Sequence, residues 1–467
     1  MNLLKKIFSP ACMVPEDQKL GDIPTARQGY GTVINLAWPS VMESVLGALV
    51  GFVDTLMVSG LGDLAISAVG ITNQPKLILL AVFLALNVGV TAVVARRRGQ
   101  NDREGAAKAL SMSVTVIILT ATLIAVAGAV FAEPFLRFAG AKESYIGDSV
   151  AYFRIIMISI PFLSVYNCIN AAQRGAGNTK ITLRTNLVAN IVNVTFNYLL
   201  IHGNLGFPAL GVRGAAIATL LGVLAAFCMS LASVLPKKNF LHPKLAYFFR
   251  FEGRTVSSVF KVGGSAMLEQ LCIRVGFFLF AKMVATLGEA EFAAHQIGLN
   301  VCAISFTFGE GLSVAASALV GQSLGRERPD LAKMYGNICQ RISLFVAAVL
   351  VSIFAFCARP IVSLFSESAD VIAFGMLAIR ILAVMSPGQL TATIFAGSLR
   401  GAGDAKYVGF VSMICIGFTR TITAFVLCYI VRLGLAGAWI AMTMDMYLRS
   451  VLYVKRFSGT AWQNTKL

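Results

Sequence analysis

Long apolar runs alternate along this chain with short polar segments rich in lysine and arginine. Residues 109–131 ("ALSMSVTVIILTATLIAVAGAVF") and 214–235 ("GAAIATLLGVLAAFCMSLASVL") carry no charge at all. Each exceeds the ~20 residues with which a helix crosses hydrocarbon. The same pattern predicts twelve spanning helices, near 33–58, 72–94, 109–131, 150–171, 184–202, 213–235, 259–286, 294–319, 337–358, 372–397, 408–431 and 435–453. An even number puts both ends of the chain on one side. The segments on that side hold 28 Lys and Arg against 5 on the other, an asymmetry that marks it as cytoplasmic.

The pattern repeats. "AQRGAGNTKI" at 172–181 and "SLRGAGDAKY" at 398–407 share the pattern R-G-A-G-(N/D)-x-K, and their arginines are 226 residues apart. The same offset carries Glu43 onto Glu269, Pro134 onto Pro360, Arg154 onto Arg380 and Pro161 onto Pro387. "GVRGAAIA" (211–218) falls on "GLAGAWIA" (434–441) at offset 223. A nearly constant offset marks a duplicated unit. The expected fold is an all-α polytopic membrane protein with twelve transmembrane helices in two pseudo-symmetric six-helix lobes. The expected parts are a cytoplasmic segment 1–32, an N-lobe 33–235, a linker 236–258, a C-lobe 259–453 and a cytoplasmic tail 454–467. Six is even, so the halves are parallel repeats, an arrangement found in alternating-access carriers. The basic, aromatic linker suits a helix lying on the cytoplasmic leaflet.

Composition narrows the class. Hydrophobic residues make up 57% and charged residues 13% of the chain, with mean hydropathy +0.77, far from the ~25% charge of soluble domains. The net charge of +17 raises nucleic acid as a partner. Its confinement to the segments between apolar runs assigns it to membrane topology instead. Membrane lipid is then the expected partner, in the plasma (inner) membrane. The nine cysteines are scattered and show no metal-ligand spacing. His202, His242 and His295 form no HExxH or comparable set. An intramembrane enzyme is therefore disfavoured, and no cofactor is expected.

The RGAG strings do not match the P-loop spacing G-x-x-x-x-G-K-[ST]. They read as tight cytoplasmic turns: glycine supplies positive φ, Asn178 or Asp404 caps the next helix, and Arg and Lys meet lipid headgroups.

Ionisable groups within the spans are the candidates for function. Glu43 and Asp54 share one face of the first helix, since eleven residues bring the helix about 20° past three full turns. Gly47 and Gly51 on the same stripe suggest close helix packing. Glu269 is the repeat mate of Glu43. A carboxylate in such a setting could bind Na⁺, accept a proton or meet a cationic substrate. Glu310 lies between two glycines. Asp445 precedes Arg449 by four residues, the spacing of a helical ion pair. Asn190, Asn193 and Asn197 fall on one helix face, as interhelical glue or as part of a polar pocket with Asp54. Lys76, Arg274, Lys282 and Arg420 have no like mates in the other half. They could face a cavity.

Taken together, Pro39, "GFVDTLMVSGLG", "AAHQIGLN", "ALVGQSLG", both RGAG turns and the paired "GxxGAAIA/GLAGAWIA" strings resemble the MATE (multidrug and toxic compound extrusion) family over about residues 30–455. The resemblance implies a V-shaped, MATE-like pair of lobes in a monomer. It also implies export of small organic compounds, cationic or drug-like, in exchange for Na⁺ or H⁺. Carried over by position, Asp54 and Glu269 match the family's acids, with Asn193 and Asn197 as polar partners in cation coupling. Asp54 and Glu269 are the candidates for holding Na⁺. Gln389 stands where many relatives have an acid, so a C-lobe site of two carboxylates lacks one of them; Glu310 is the candidate substitute. Glu43, Glu310, Gln389, Arg274 and Arg420 are the candidates for the substrate cavity. A flippase for a lipid-linked or anionic precursor is the alternative, and a channel is less favoured.

Overall fold

The computed structural model describes residues 9–237, 239–248, 253–463 and 465. Residues 1–8 of the expected N-terminal segment, Lys238 and 249–252 of the linker, and 464 and 466–467 of the tail lie outside the described residues. Among the described residues all regular structure is helical. The first half comprises α1 (Ala26–Ser59), α2 (Asp63–Gly99), α3 (Arg103–Val130), the short α4 (Ala132–Phe138), α5 (Ile146–Gly175), α6 (Thr179–His202) and α7 (Gly211–Val234). The second half comprises α8 (Gly253–Ala285), α9 (Glu289–Gly325), α10 (Pro329–Phe356), the short α11 (Ala358–Ser363), α12 (Ala369–Ala402), α13 (Ala405–Ile430) and α14 (Gly434–Ser458). The duplication is visible in lengths: α2 and α9 both have 37 residues, and α3 and α10 both have 28. α2 and α8 begin before the expected 72 and 259, because a helix does not end where its apolar stretch does.

Nine of these helices carry a stretch apolar enough to cross a membrane, by length and composition. Among the described residues the five that do not are the short α4 and α11 and the long α6, α8 and α14, and these last contain Asn193 and Asn197, Glu269, and Asp445. Their polar content weakens the hydropathy signal, and it supplies the buried polar sites described below. Large apolar side chains such as Leu123 (71% exposed) and Phe345 (73%) suit contact with lipid.

The chain divides into two compact units. One runs from Met42 to Gly263. Its core gathers Phe83, Leu110, Phe153 and Ile156 from α2, α3 and α5. The other combines Gly264–Leu467 with the chain up to Val41. In it Trp439 is fully buried and packs on His295, with ring centroids 5.8 Å apart. The divisions therefore fall inside α1 and α8. Val33 and Ala37 of α1 belong to a core with Leu312, Ala315 and Ile338. Both ends of the chain are tied to the start of α10: Lys333 Nζ donates to Gln18 Oε1 (3.2 Å) and to the Ser458 carbonyl (3.0 Å).

The RGAG turns have one geometry in both units. Gly177 and Gly403 have φ of 89° and 92°. Their N–H groups donate to the Arg174 and Arg400 carbonyls at 3.0 Å, and the next N–H groups reach Gln173 and Leu399 at 2.8 Å. This closes each helix with a left-handed residue. The expected caps do not form. Asn178 donates to Gln173 Oε1 (2.9 Å), and Asp404 pairs with Arg456 (2.8 Å). The first glycine of each motif serves packing. A Cβ on Gly175 would stand 2.6 Å from the Thr91 carbonyl oxygen, and one on Gly401 would overlap that of Ser317. Thr91 and Ser317 are themselves 226 residues apart. Gly175→Ala and Gly401→Ala are each expected to cost about 1–3 kcal/mol or more, because backbone must move. The check is the thermal midpoint of the purified protein.

The described part of the linker is not the expected surface helix. Residues 239–248 form turns and a 3₁₀ segment, Leu245–Phe248, and 253–258 already belong to α8. Phe240, Leu241 and Tyr247 are buried. The guanidinium of Arg98 lies 4.4 Å from the Phe240 ring centre, and the Lys244 ammonium 5.6 Å from that of Tyr247. Aromatic rings that find a protein core and cation partners need not enter the leaflet.

Candidate functional site

Each unit holds a buried polar centre, and the two begin from one shared element. In the 42–263 unit Arg174 Nη1 donates to Glu43 Oε1 (3.1 Å), joined by Asn186 Nδ2 (2.8 Å), while Thr182 Oγ1 donates to Glu43 Oε2 (3.0 Å). In the other unit Arg400 Nη2 donates to Glu269 Oε1 (2.6 Å), joined by Ser412 Oγ (3.1 Å). All three positions correspond at offset 226. The RGAG arginines thus neutralise the repeated glutamates and do not reach for headgroups. A charge in the apolar interior needs such a partner.

Beyond this shared element the units differ. In the 42–263 unit, Asp54 Oδ1 accepts Asn197 Nδ2 at 2.7 Å. The Asn193 amide places its nitrogen 2.8 Å from the same oxygen and its oxygen 3.3 Å from the Thr219 N–H; the reverse orientation would set oxygen against oxygen. Asn193 and Asn197 are four residues apart on α6, so both amides face α1. Asn197 Oδ1 is buried without a hydrogen-bond partner among the described residues. Asp54 and Asn197, but not Asn193, border a cavity of about 320 Å³ lined also by Thr55, Asn73, Lys76, Tyr152 and Thr219. Gly51 opens onto this cavity. Neither Gly47 nor Gly51 has an atom within 4 Å of where a Cβ would stand. The expected close helix packing is absent there; the missing side chain at Gly51 gives room beside Asp54. Asn190 does not line the cavity.

In the other unit, a cavity of about 250 Å³ is lined by Glu269, Glu310, Thr393, Arg400, Arg449 and Tyr453, among others. The structure thus brings Glu269 and Glu310 together. Glu269 is engaged by Arg400, whereas Glu310 makes no hydrogen bond or close ion pair among the described residues. Ser412 links Glu269 to the Tyr453 hydroxyl, 2.9 Å away.

Three sequence candidates fall elsewhere. Gln389 is fully buried and accepts a weak bond from Cys302 Sγ (3.8 Å). Arg274 is exposed on α8. Arg420 is fully buried: its Nε and Nη2 donate to Asp445 Oδ2 at 3.0 and 2.5 Å. Arg449 Nη2 adds a third bond to the same oxygen at 2.9 Å, the expected i,i+4 pair. Arg420 closes a π-helical stretch, Met413–Arg420. This widening shifts the helix phase and turns a side chain that would otherwise precess away. The buried triad was not legible from spacing alone.

With the geometry in hand, comparison with known proteins gives the class. The MatE family model matches residues 39–199 and 265–429, one stretch in each half. The chain belongs to the MatE (MATE) family, a family of membrane transporters and not of enzymes. It is 28% identical over 454 residues to "Probable multidrug resistance protein NorM" of Thermotoga maritima, covering 95% of this chain and 94% of the relative. It is 25% identical to "Uncharacterized transporter YisQ" of Bacillus subtilis, covering 92% and 94%. Among solved structures, a MOP superfamily transporter from Pyrococcus furiosus, described as having a binding pocket of reversed polarity, superposes with TM-score 0.86 at 21% identity, covering 94% and 97%. A MATE structure in a bent conformation gives 0.85 at 20% identity, covering 92% of this chain and 96% of that one. The likeness to these structures establishes the fold.

Proposed function

We propose that this chain is a secondary active exporter of small organic, drug-like compounds, driven by counterflow of Na⁺ or H⁺, with the coupling cation held at Asp54. It works as a monomer in the plasma membrane with both termini cytoplasmic, and its two lobes alternate access. The observation that carries the reading is the difference between the two polar centres. Glu269 already has an arginine at 2.6 Å. Among the described residues Asp54 has only amides as hydrogen-bond donors, and Asn197 beside it has a buried oxygen without a partner. A carboxylate with a neighbouring carbonyl oxygen and hydroxyls suits a small cation or a proton. Cation binding there favours one state only to the extent that its affinity differs between states.

The name of the Thermotoga relative, a multidrug resistance protein, supports breadth in the substrate. The flippase alternative calls for a net basic cavity. Neither polar cavity has an excess of basic lining residues: Lys76 is matched by Asp54, and Arg400 and Arg449 by Glu269 and Glu310. The test is transport of a loaded organic cation such as ethidium in proteoliposomes with Na⁺ and H⁺ gradients imposed separately. One of them is expected to drive uphill movement. Movement indifferent to both would refute the exchange mechanism.

A further inference from the structure

Lys76 lines the same cavity as Asp54 and makes no hydrogen bond or close ion pair among the described residues. The groups facing it come from five helices: Asp54 from α1, Asn73 from α2, Tyr152 from α5, Asn197 from α6 and Thr219 from α7. Asp54 is the one carboxylate among the described lining residues, and Lys76 the one ammonium. A lysine within a membrane span is costly unless its charge is answered, and the only negative charge in reach inside this cavity is Asp54. The repeat strengthens the link. At offset 226, Asp54 falls on Phe280 and Lys76 falls on Cys302. Both mates are uncharged and buried, each 1% exposed. The two charges are present together in one half and absent together from the other, as expected of a compensating pair.

We propose that Lys76 is a tethered cation that competes with the coupling cation for Asp54. The inference rests on the assignment of coupling to Asp54. Lysine is a compact charge on a flexible four-carbon stem, so its ammonium can reach the carboxylate or withdraw as a free cation arrives. Whichever cation occupies Asp54, its carboxylate is answered by one positive charge at every stage. The tether weakens cation binding by the fraction of time it holds the carboxylate, and so lets the cation leave on the side of low concentration. If Lys76 engages Asp54 about nine-tenths of the time, removing it tightens cation binding about tenfold.

The test is equilibrium binding of Na⁺, and in parallel of protons, to the purified full-length protein and its variants. Lys76→Gln is expected to tighten binding of the coupling cation about tenfold. Lys76→Arg, which keeps the charge, is expected to stay within about twofold of the parent protein. Lys76→Met, of similar length and no charge, repeats the test if the glutamine variant is unstable. Asp54→Asn separates the two claims. Loss of cation binding in Asp54→Asn, with unchanged affinity in Lys76→Gln and Lys76→Met, overturns the tethered-cation inference and leaves Asp54 coupling standing. Cation binding that survives in Asp54→Asn overturns both.

Discussion

Asp54→Asn is expected to abolish gradient-driven export while leaving the protein folded. Asparagine has the shape of aspartate and keeps an oxygen to accept the Asn197 and Asn193 amides, which lie 2.7 and 2.8 Å away. It loses the charge that a cation needs. Moving a two-state transporter from 1:99 to 99:1 requires a ligand that prefers one state about 10⁴-fold. A neutral amide cannot supply such a preference to Na⁺ or to a proton. Uphill export in proteoliposomes should therefore fall at least about tenfold, with the thermal midpoint little changed. The equivalent position in the other unit is Phe280, so no second acid at that level can take over.

Asp445→Ala is expected to have the largest effect on stability. Asp445 and Arg420 are both fully buried, and Oδ2 of Asp445 takes bonds from Arg420 and Arg449. Removing the carboxylate leaves Arg420 buried in the apolar interior with no counter-charge. Loss of one partner of a buried pair typically costs about 3–5 kcal/mol, enough to deplete folded protein. Replacing the pair together, Arg420→Met with Asp445→Leu, should recover most of that loss, because no charge is then stranded at full burial. Arg449 remains, but its side chain is 11% exposed and lines the 250 Å³ cavity. Recovery of monodisperse protein and its melting temperature read both variants. A double variant as unstable as Asp445→Ala would show that packing around the triad matters more than its charges.

The duplicated architecture was legible in the sequence because duplication keeps spacing. The pairs α2 with α9 and α3 with α10, the RGAG turns and the starts of the short helices after α3 and α10 all follow the 226-residue offset. Helical periodicity set Asn193 and Asn197 on one face of their helix but left open whether that face met a neighbouring helix or shared a pocket with Asp54; the bonds to Asp54 are a finding of the structure. The glutamate–arginine pairs were missed, although a signal was available. Arg174 follows Glu43, and Arg400 follows Glu269, by the same 131 residues. Two ion-pairable residues kept at one separation in both halves point to contact between them. The Arg420–Asp445 bond carried no such signal, because the π-helical stretch before Arg420 breaks the regular phase on which spacing arguments depend. Nor could hydropathy show that the linker's aromatic rings turn inward to a core and to Arg98 and Lys244. Apolar composition tells that a ring leaves water; whether lipid or protein receives it depends on tertiary neighbours.

A cation bound at Asp54 is proposed to drive export. This is tested most directly by uphill ethidium transport in proteoliposomes containing the parent protein or Asp54→Asn, with Na⁺ and H⁺ gradients applied one at a time. One gradient is expected to drive transport by the parent protein, and neither to drive it in the variant. Undiminished gradient-driven transport by Asp54→Asn would contradict that role for Asp54.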